Sequence, residues 1–358
     1  MRVLFVTEDL ANGGSERVIS VLANGFAEEH ESAVAAIRWD KVVYTLDERV
    51  KYYPFLDDKA GKIKRTIGRF TFLNRVIKEY KPDVVVAFDT VPIVYSSLCC
   101  KLRKQKLVVS ERADPRKHLG KGIITRLYFK AFDNATGAVF QTEDAKQYFN
   151  PDVQKKSVVI PNPINDEFVV ARYQGQRTKE IVTACRMTAQ KNIRLFIDIV
   201  TEVAKKHPEY RGIVYGDGPD LEKLKSYADE KGAGESIVFA GKVDNIKERI
   251  YKSQFYLCTS DYEGISNSML EAMALGLNVV STDCPVGGAR MAIISGIDGM
   301  LFPVGDKDAG VEDLNKIIES PELSQSMGEA ATKICDRWSS KKITSRWIEY
   351  LNTIIGKA

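Results

Sequence analysis

Glu263 and Glu271 bracket the stretch Gly264-Ile265-Ser266-Asn267-Ser268-Met269, and the residues between them suit an anion. Gly264 frees the backbone, polar residues follow, and an apolar helical pattern runs on to Gly276, so the segment reads as a loop feeding a helix. A helix entered in this way presents unpaired backbone N–H groups and the positive end of its dipole, which together seat a phosphate. Ser268 and Glu271 also fit a capping box, which would give Glu271 a purely structural role. Glu263 has no such local role.

Three more devices fall where strands are expected to end. Arg186 and Lys191 follow the apolar run 181–184 and could aim two cations at one diphosphate, although surface ion pairs are the structural alternative. Gly216-Asp217-Gly218-Pro219 follows the run 212–215 as a tight turn that would let a ligand approach the backbone. Gly13 and Gly14 follow the apolar run 2–7; their spacing is not the G-x-G-x-x-G of dinucleotide folds, which disfavours a Rossmann dehydrogenase. Each device alone has a plain structural reading. Their recurrence at successive strand ends favours a phosphate-bearing ligand.

The elements that must carry these residues alternate along the chain. Strands are expected at 2–7, 32–37, 84–88, 107–110, 135–141 and 157–160, with helices from about Ser15 and at 63–81, 92–103, 122–132 and 144–149. Pro161-Asn162-Pro163 stops both patterns and marks a domain boundary. Beyond it, strands are expected at 181–184, 212–215, 237–240, 255–259, 278–281 and 300–302, and helices at 192–206, 221–231 and after Ser266. The fold class is therefore α/β, with two Rossmann-like domains, 1–163 and 164–340, facing each other across a cleft. The last segment, 341–358, carries Trp347, Ile348, Leu351, Ile354 and Ile355 on one face and is expected to pack back on the first domain.

Composition narrows the class. No apolar run approaches a membrane span, and the apolar start of the chain meets Glu8-Asp9 too soon for a signal peptide, so a cytoplasmic protein is expected. Its six cysteines show no metal-ligand spacing and no dense framework. From Lys59 to Lys130 there are 18 Lys/Arg against five Asp/Glu, an asymmetry that points to an anionic partner, a nucleic acid or a membrane surface, or else to a solvated basic face. A nucleic-acid reader motif is absent, so no nucleic-acid partner is expected.

Over nearly its whole length the chain resembles the retaining glycosyltransferases of GT-B fold, family 4 (group 1), of the bacterial surface-polysaccharide type. The resemblance rests on Gly13-Gly14-Ser15-Glu16-Arg17-Val18, Phe140-Gln141-Thr142-Glu143, Ile160-Pro161-Asn162-Pro163, Arg186 to Lys191, Gly216-Asp217-Gly218-Pro219 and the E-x7-E pair Glu263 and Glu271. It implies a nucleotide-sugar donor, with UDP as the expected nucleotide, and a glycan or polyprenyl-diphosphate-linked acceptor. A nucleotide-sugar epimerase or hydrolase of the same fold is the alternative. The catalytic set it implies is Glu263, Arg186, Lys191 and Arg112. In the donor site, Arg186 and Lys191 would hold the diphosphate, Glu263 the sugar and Glu271 the ribose. Ser268 and Met269 would cradle the distal phosphate together with Gly264, Ile265, Ser266 and Asn267. Gly13, Gly14, Gly216, Asp217, Gly218 and Lys242 complete the set. No metal or other cofactor is expected, since fixed cations and a helix start can stabilise the departing diphosphate and no Asp-x-Asp motif ends a strand.

Some positions depart from the family pattern. Where many members carry a histidine, this chain has Arg112 in Ser110-Glu111-Arg112-Ala113-Asp114; an arginine stays protonated and cannot serve as a base, which leaves Asp114 or His118 as alternatives. Lys59, Lys62, Lys64, Arg65 and Arg69, with Ile63, Ile67, Phe70 and Phe72, resemble an interfacial helix, so the basic segment 59–130 is expected to hold the protein at the inner face of the cytoplasmic membrane. Glu263→Ala is expected to cut turnover with the fold intact, and Glu271→Ala to cost helix stability as well.

Overall fold

The computed structural model describes residues 1–358 apart from Asn12, 39–41, 57–60, Leu119, Lys121 and 357–358, with the backbone alone for Lys62 and His118. Lys59 and Lys121 of the basic segment therefore lie outside the described residues. The chain forms two compact units, Met1–Pro163 with Ser340–Ala358, and Ile164–Ser339.

The first unit is built on a parallel sheet of β1 (Arg2–Thr7), β2 (Glu31–Ala36), β3 (Lys51–Pro54), β4 (Val84–Phe88), β5 (Leu107–Glu111), β6 (Gly137–Phe140) and β7 (Ser157–Val159), in the order β3-β2-β1-β4-β5-β6-β7. The second unit repeats the design with β8 (Thr178–Ala184), β9 (Arg211–Tyr215), β10 (Ile237–Gly241), β11 (Ser253–Cys258), β12 (Asn278–Thr282) and β13 (Met300–Phe302), in the order β10-β9-β8-β11-β12-β13. Helices cover both faces of such sheets, which is why a central strand such as Val84–Phe88 is buried and apolar at every position. In each unit the order reverses between the first strand and the fourth, at β1/β4 and at β8/β11. Open parallel sheets hold ligands beyond the carboxyl ends of the strands at such a reversal.

β3 is a strand beyond those expected, its four residues being too few to show a period; as an edge strand it tolerates Pro54 at its end. Three helices beyond the expected set, Lys307–Ile318, Pro321–Ala331 and Ile334–Trp338, follow β13, and the first two supply Leu314, Ile317 and Met327 to the core of the second unit.

The terminal helix Ser340–Ile355 belongs to the first unit. Trp347 is fully buried and stacks on Phe88 with ring centroids 5.8 Å apart. The Tyr350 hydroxyl accepts from Ala138 N at 3.0 Å and donates to Lys156 O at 2.5 Å. Gly25 leaves room for the helix, since a side chain there would come 2.7 Å from Thr344 Oγ1.

Candidate active site

The loop after β8 is stitched to the loop after β9. Cys185 N donates to Tyr215 O at 3.1 Å, and Met187 N donates to Asp217 O at 2.7 Å. The stitching requires glycine: a Cβ on Gly216 would overlap Cys185 O, one on Gly218 would overlap Met187 O, and Gly216 also holds φ 120°. The close approach predicted for the Gly216-Asp217-Gly218 turn is thus made to the chain's own backbone. Gly216 N donates to Gly241 O at 2.8 Å, which ties in the end of β10, where Lys242 follows at an exposed position. Arg186 and Asp217 are exposed, and Arg186 makes no hydrogen bond or ion pair among the described residues.

At the reversal between β8 and β11 the loops are locked together. Asn192, at φ 45° and ψ 50°, caps the helix Ile193–Lys206 by accepting from Leu195 N, and its Nδ2 donates to Asp261 Oδ1 at 2.8 Å. Thr259 Oγ1 donates to the carbonyls of Lys191 and Asn192 at 3.0 and 3.1 Å, and Asp261 N donates to Gln190 O at 2.9 Å. Lys191 Nζ donates to Glu263 Oε1. Glu263 also accepts from Gln190 Nε2 at 3.1 Å and from Ser260 Oγ at 3.3 Å. The Lys191 and Glu263 side chains are 21% and 14% exposed. Burial works against the Lys191 ammonium, yet the Glu263 carboxylate beside it prevails and holds its pKa above the ordinary range. Glu263, which has no capping role of its own, thus neutralises Lys191 across the two loops.

The helix Asn267–Ala274 starts beyond β11 with Ser266 as its cap, whose Oγ accepts from Met269 N at 3.4 Å. The capping box read from Ser268 and Glu271 is corrected by this geometry. Ser268 lies inside the first turn and its Oγ accepts from Tyr256 Oη at 2.7 Å, while Glu271 lies a turn further on and is buried, 3% exposed. Gly264, Ile265 and Met269 are buried, and Asn267 is half-buried. The Gly264 carbonyl occupies the space that a side chain on Gly288 would need. Cations, a helix start and a paired carboxylate thus gather at the carboxyl ends of adjacent strands, an arrangement whose charges and N–H groups suit an anion. Gln190, Asn192, Thr259 and Asp261 were missed. The only signal was Asn192 itself, an Asn directly before an apolar helical run.

In the first unit, Gly13 and Gly14 enter the helix Gly14–Phe26. The Glu16 carboxylate folds back over Gly13, where any Cβ would overlap it, and accepts from Ser15 Oγ at 3.1 Å. Burial pushes the Glu16 pKa up, and Asp9 and Glu8 add to it. Asp89 follows β4 at φ 65° and ψ 156°, a region close to glycine-only. Its Oδ2 is buried without a hydrogen-bond partner among the described residues, and burial, followed by the Glu16 charge, pushes its carboxyl up to about 8.

Arg112 stacks on Phe88, 5.6 Å from the ring centroid. It donates from Nη1 to Ser110 Oγ at 3.4 Å and from Nη2 to Asn162 Oδ1. Asn162 also accepts from Gln141 Nε2 at 2.5 Å, so the Gln141 and Asn162 motifs serve to hold Arg112. Burial lowers the Arg112 pKa, and the nearby Asp89 and Glu111 charges oppose the fall. Asp114 accepts from Arg116 Nε and Nη2 at 3.0 and 3.2 Å, which occupies the carboxylate proposed as an alternative base. The His118 side chain lies outside the described residues.

The chain is similar to known proteins over nearly its whole length. Residues 12–168 match the profile of "Glycosyltransferase Family 4" and residues 170–334 that of "Glycosyl transferases group 1". The lipopolysaccharide 1,6-galactosyltransferase of Salmonella typhimurium is 26% identical over 337 residues, covering 89% of this chain and 90% of its own. The α-1,4-N-acetyl-D-galactosaminyltransferase of Campylobacter jejuni, named for a diphospho-undecaprenol-linked acceptor, is 23% identical over 98% of both chains. Among solved structures, HepE of Anabaena in complex with UDP and glucose superposes with a TM-score of 0.83 at 16% identity, over 99% of this chain and 100% of that one. With both profiles matched in chain order and the fold shared throughout, the chain belongs to the group 1 glycosyltransferases of family 4, GT-B fold.

Proposed function

We propose that this glycosyltransferase moves a sugar from a UDP-sugar to a glycan or lipid-linked acceptor in the synthesis of a surface polysaccharide, with retention at the anomeric carbon and without a metal. The observation that carries the donor assignment is the Lys191–Glu263 pair at the β8/β11 reversal, next to the exposed Arg186 and the helix start at Ser266. The relatives named for lipopolysaccharide and diphospho-undecaprenol acceptors support the acceptor class, and the HepE complex supports UDP.

The chemistry follows from charge. As the bond between the anomeric carbon and the diphosphate oxygen breaks, its electron pair stays on the diphosphate, and Arg186, Lys191 and the helix N–H groups meet that growing charge. An acceptor hydroxyl attacks from the same face, forms the new C–O bond and gives its proton to the leaving phosphate oxygen. Glu263, already oriented by Gln190 and Ser260, is disposed to take hydrogen bonds from the sugar hydroxyls.

The membrane partner belongs to the same proposal. No helix among the described residues is long and apolar enough to cross a membrane. Ile63, Ile67, Leu98, Leu102, Ile123 and Ile124 are exposed on three helices of the first unit, amid Lys64, Lys101, Arg103, Lys104 and Arg126. Phe72 is buried against Phe55 and Tyr128 donates to Glu111, so these two aromatics belong to the core, and the apolar contact falls to the aliphatic residues.

The test is a panel of nucleotide-sugars incubated with and without lipid-linked glycan acceptors. UDP release that requires the acceptor, with the new linkage in the donor's anomeric configuration by NMR, supports the reading. Acceptor-independent turnover supports the epimerase or hydrolase instead, and an inverted linkage overturns retention.

A further inference from the structure

Asn192 takes the left-handed backbone, φ 45° and ψ 50°, between the 3₁₀ turn Ala189–Lys191 and the helix Ile193–Lys206. Glycine adopts that backbone without strain, so what the asparagine adds lies in its amide. Both ends of the amide are used. Its Oδ1 accepts from Leu195 N at 3.3 Å and caps the helix, while Nδ2 donates to Asp261 Oδ1 at 2.8 Å. The cap needs an oxygen there, which leaves the N–H groups for Asp261. Asn192 directly follows Lys191, and Asp261 stands two residues before Glu263. A second pair of side chains thus spans the gap that Lys191 and Glu263 span.

The ion pair cannot hold these loops once a diphosphate arrives, because phosphate oxygens compete with the carboxylate for the ammonium. Contacts that survive that exchange must involve neither charge. Thr259 Oγ1 reaches the carbonyls of Lys191 and Asn192, and Asp261 N reaches Gln190 O, but these end on the backbone of a loop. Asn192–Asp261 has a carboxylate acceptor, which makes it a stronger bond, and it also ties the loops to a rigid element. The 14-residue helix that Asn192 caps is anchored in the core of the second unit by Ile193, Phe196, Ile197, Val200 and Val203. A binding group is precise when such an element supports it.

We infer that the Asn192–Asp261 link is a positioning device for the donor diphosphate: it keeps Lys191 in place when the ammonium turns from Glu263 to phosphate. The inference rests on the donor assignment above and adds two residues that act through Lys191. It carries a sign of its own. Asp261 is a negative charge close to the seat of an anion, so removing the charge alone would tighten anion binding. A weakening on its removal reports lost position.

The experiment titrates the full chain with UDP by calorimetry and, separately, with UMP, which lacks the distal phosphate, using competition against UDP where the heats are small. N192G keeps the backbone and loses the amide; it and D261A should each weaken UDP at least about tenfold, with UMP changed less than about twofold. The double variant N192G/D261A should bind UDP no more weakly than the weaker single, since both remove one link. D261N keeps an acceptor for the Asn192 amide and drops the charge, so it should bind UDP as tightly as the wild type or more so. UDP affinity unchanged in N192G and D261A, UDP and UMP weakened by the same factor, or D261N as weak as D261A would each overturn the inference. Should N192G fail to fold, the contrast between D261A and D261N decides. A wild-type chain that binds UDP no better than UMP would instead refute the donor assignment, and the inference would fall with it.

Discussion

Lys191 and Glu263, 72 positions apart, meet as a mostly buried ion pair at the β8/β11 reversal, with Gln190 and Ser260 completing the hydrogen bonds of the carboxylate. Glu263→Ala should therefore lose stability as well as turnover, because it strands the Lys191 charge; breaking such a pair costs about 3 kcal/mol. Lys191→Met in the same chain should recover most of the stability and none of the activity. Urea unfolding followed by circular dichroism measures both, and an unchanged midpoint for Glu263→Ala would contradict the pairing.

Arg186 has no partner among the described residues, so its removal should do the opposite. Arg186→Ala is expected to weaken UDP binding about tenfold or more, the worth of one charged hydrogen bond to phosphate, with the melting temperature unmoved. A large drop in melting temperature would show that the arginine serves the fold.

Gly216→Ala adds a methyl that overlaps Cys185 O at φ 120°. The loop carrying Arg186 must shift, at a cost of about 2 kcal/mol or more. Lower stability together with weaker UDP binding is expected, and an alanine variant equal to the wild type in both would refute the close approach.

Asp89 gives a pH dependence with a definite sign. Its folded carboxyl is pushed up to about 8 by burial, then by Glu16, with Glu8 and Glu111 adding charge of the same sign. A folded pKa above the unfolded one favours folding while the group is protonated, so the contribution is full below about pH 4 and is lost as pH rises through about 8. Asp89→Asn should flatten the fall in stability across that window. Asp89→Gly should also relieve the backbone strain, worth about 1–3 kcal/mol before the entropy cost of glycine. Parallel pH profiles for wild type and Asp89→Asn would exclude the raised carboxyl.

Membrane docking through the outward residues should respond to salt and to apolar loss separately. Each basic residue near an anionic surface adds roughly 1 kcal/mol, so cosedimentation with phosphatidylglycerol vesicles should be strong at low salt and fall as salt rises. Ile63→Asp with Ile67→Asp should weaken it at every salt concentration. An absence of sedimentation at low salt would end this part of the proposal.

Much of the fold was legible because parallel strands buried on both faces leave unbroken apolar runs, as in Val84–Phe88, and because glycines mark their exits. β3 was not legible, since four edge residues carry no period. Of the helices from Lys307 to Trp338, two do carry a local signal in their capping residues, Asp306 and Ser320.

The sequence by itself determined the α/β class, the break at Pro161-Asn162-Pro163 and the kinds of group at the strand ends: Arg186, Lys191, the glycines of the Gly216 turn, and the carboxylates around Ser266. Those follow from local chemistry, which a linear chain displays. Tertiary structure alone decided which groups meet. Strand order set β8 beside β11 and so gave Glu263 to Lys191, and the loop geometry made Ser266 the cap and freed Ser268 for Tyr256. Pairing across a sheet depends on the order in which strands assemble, which no single stretch of sequence encodes.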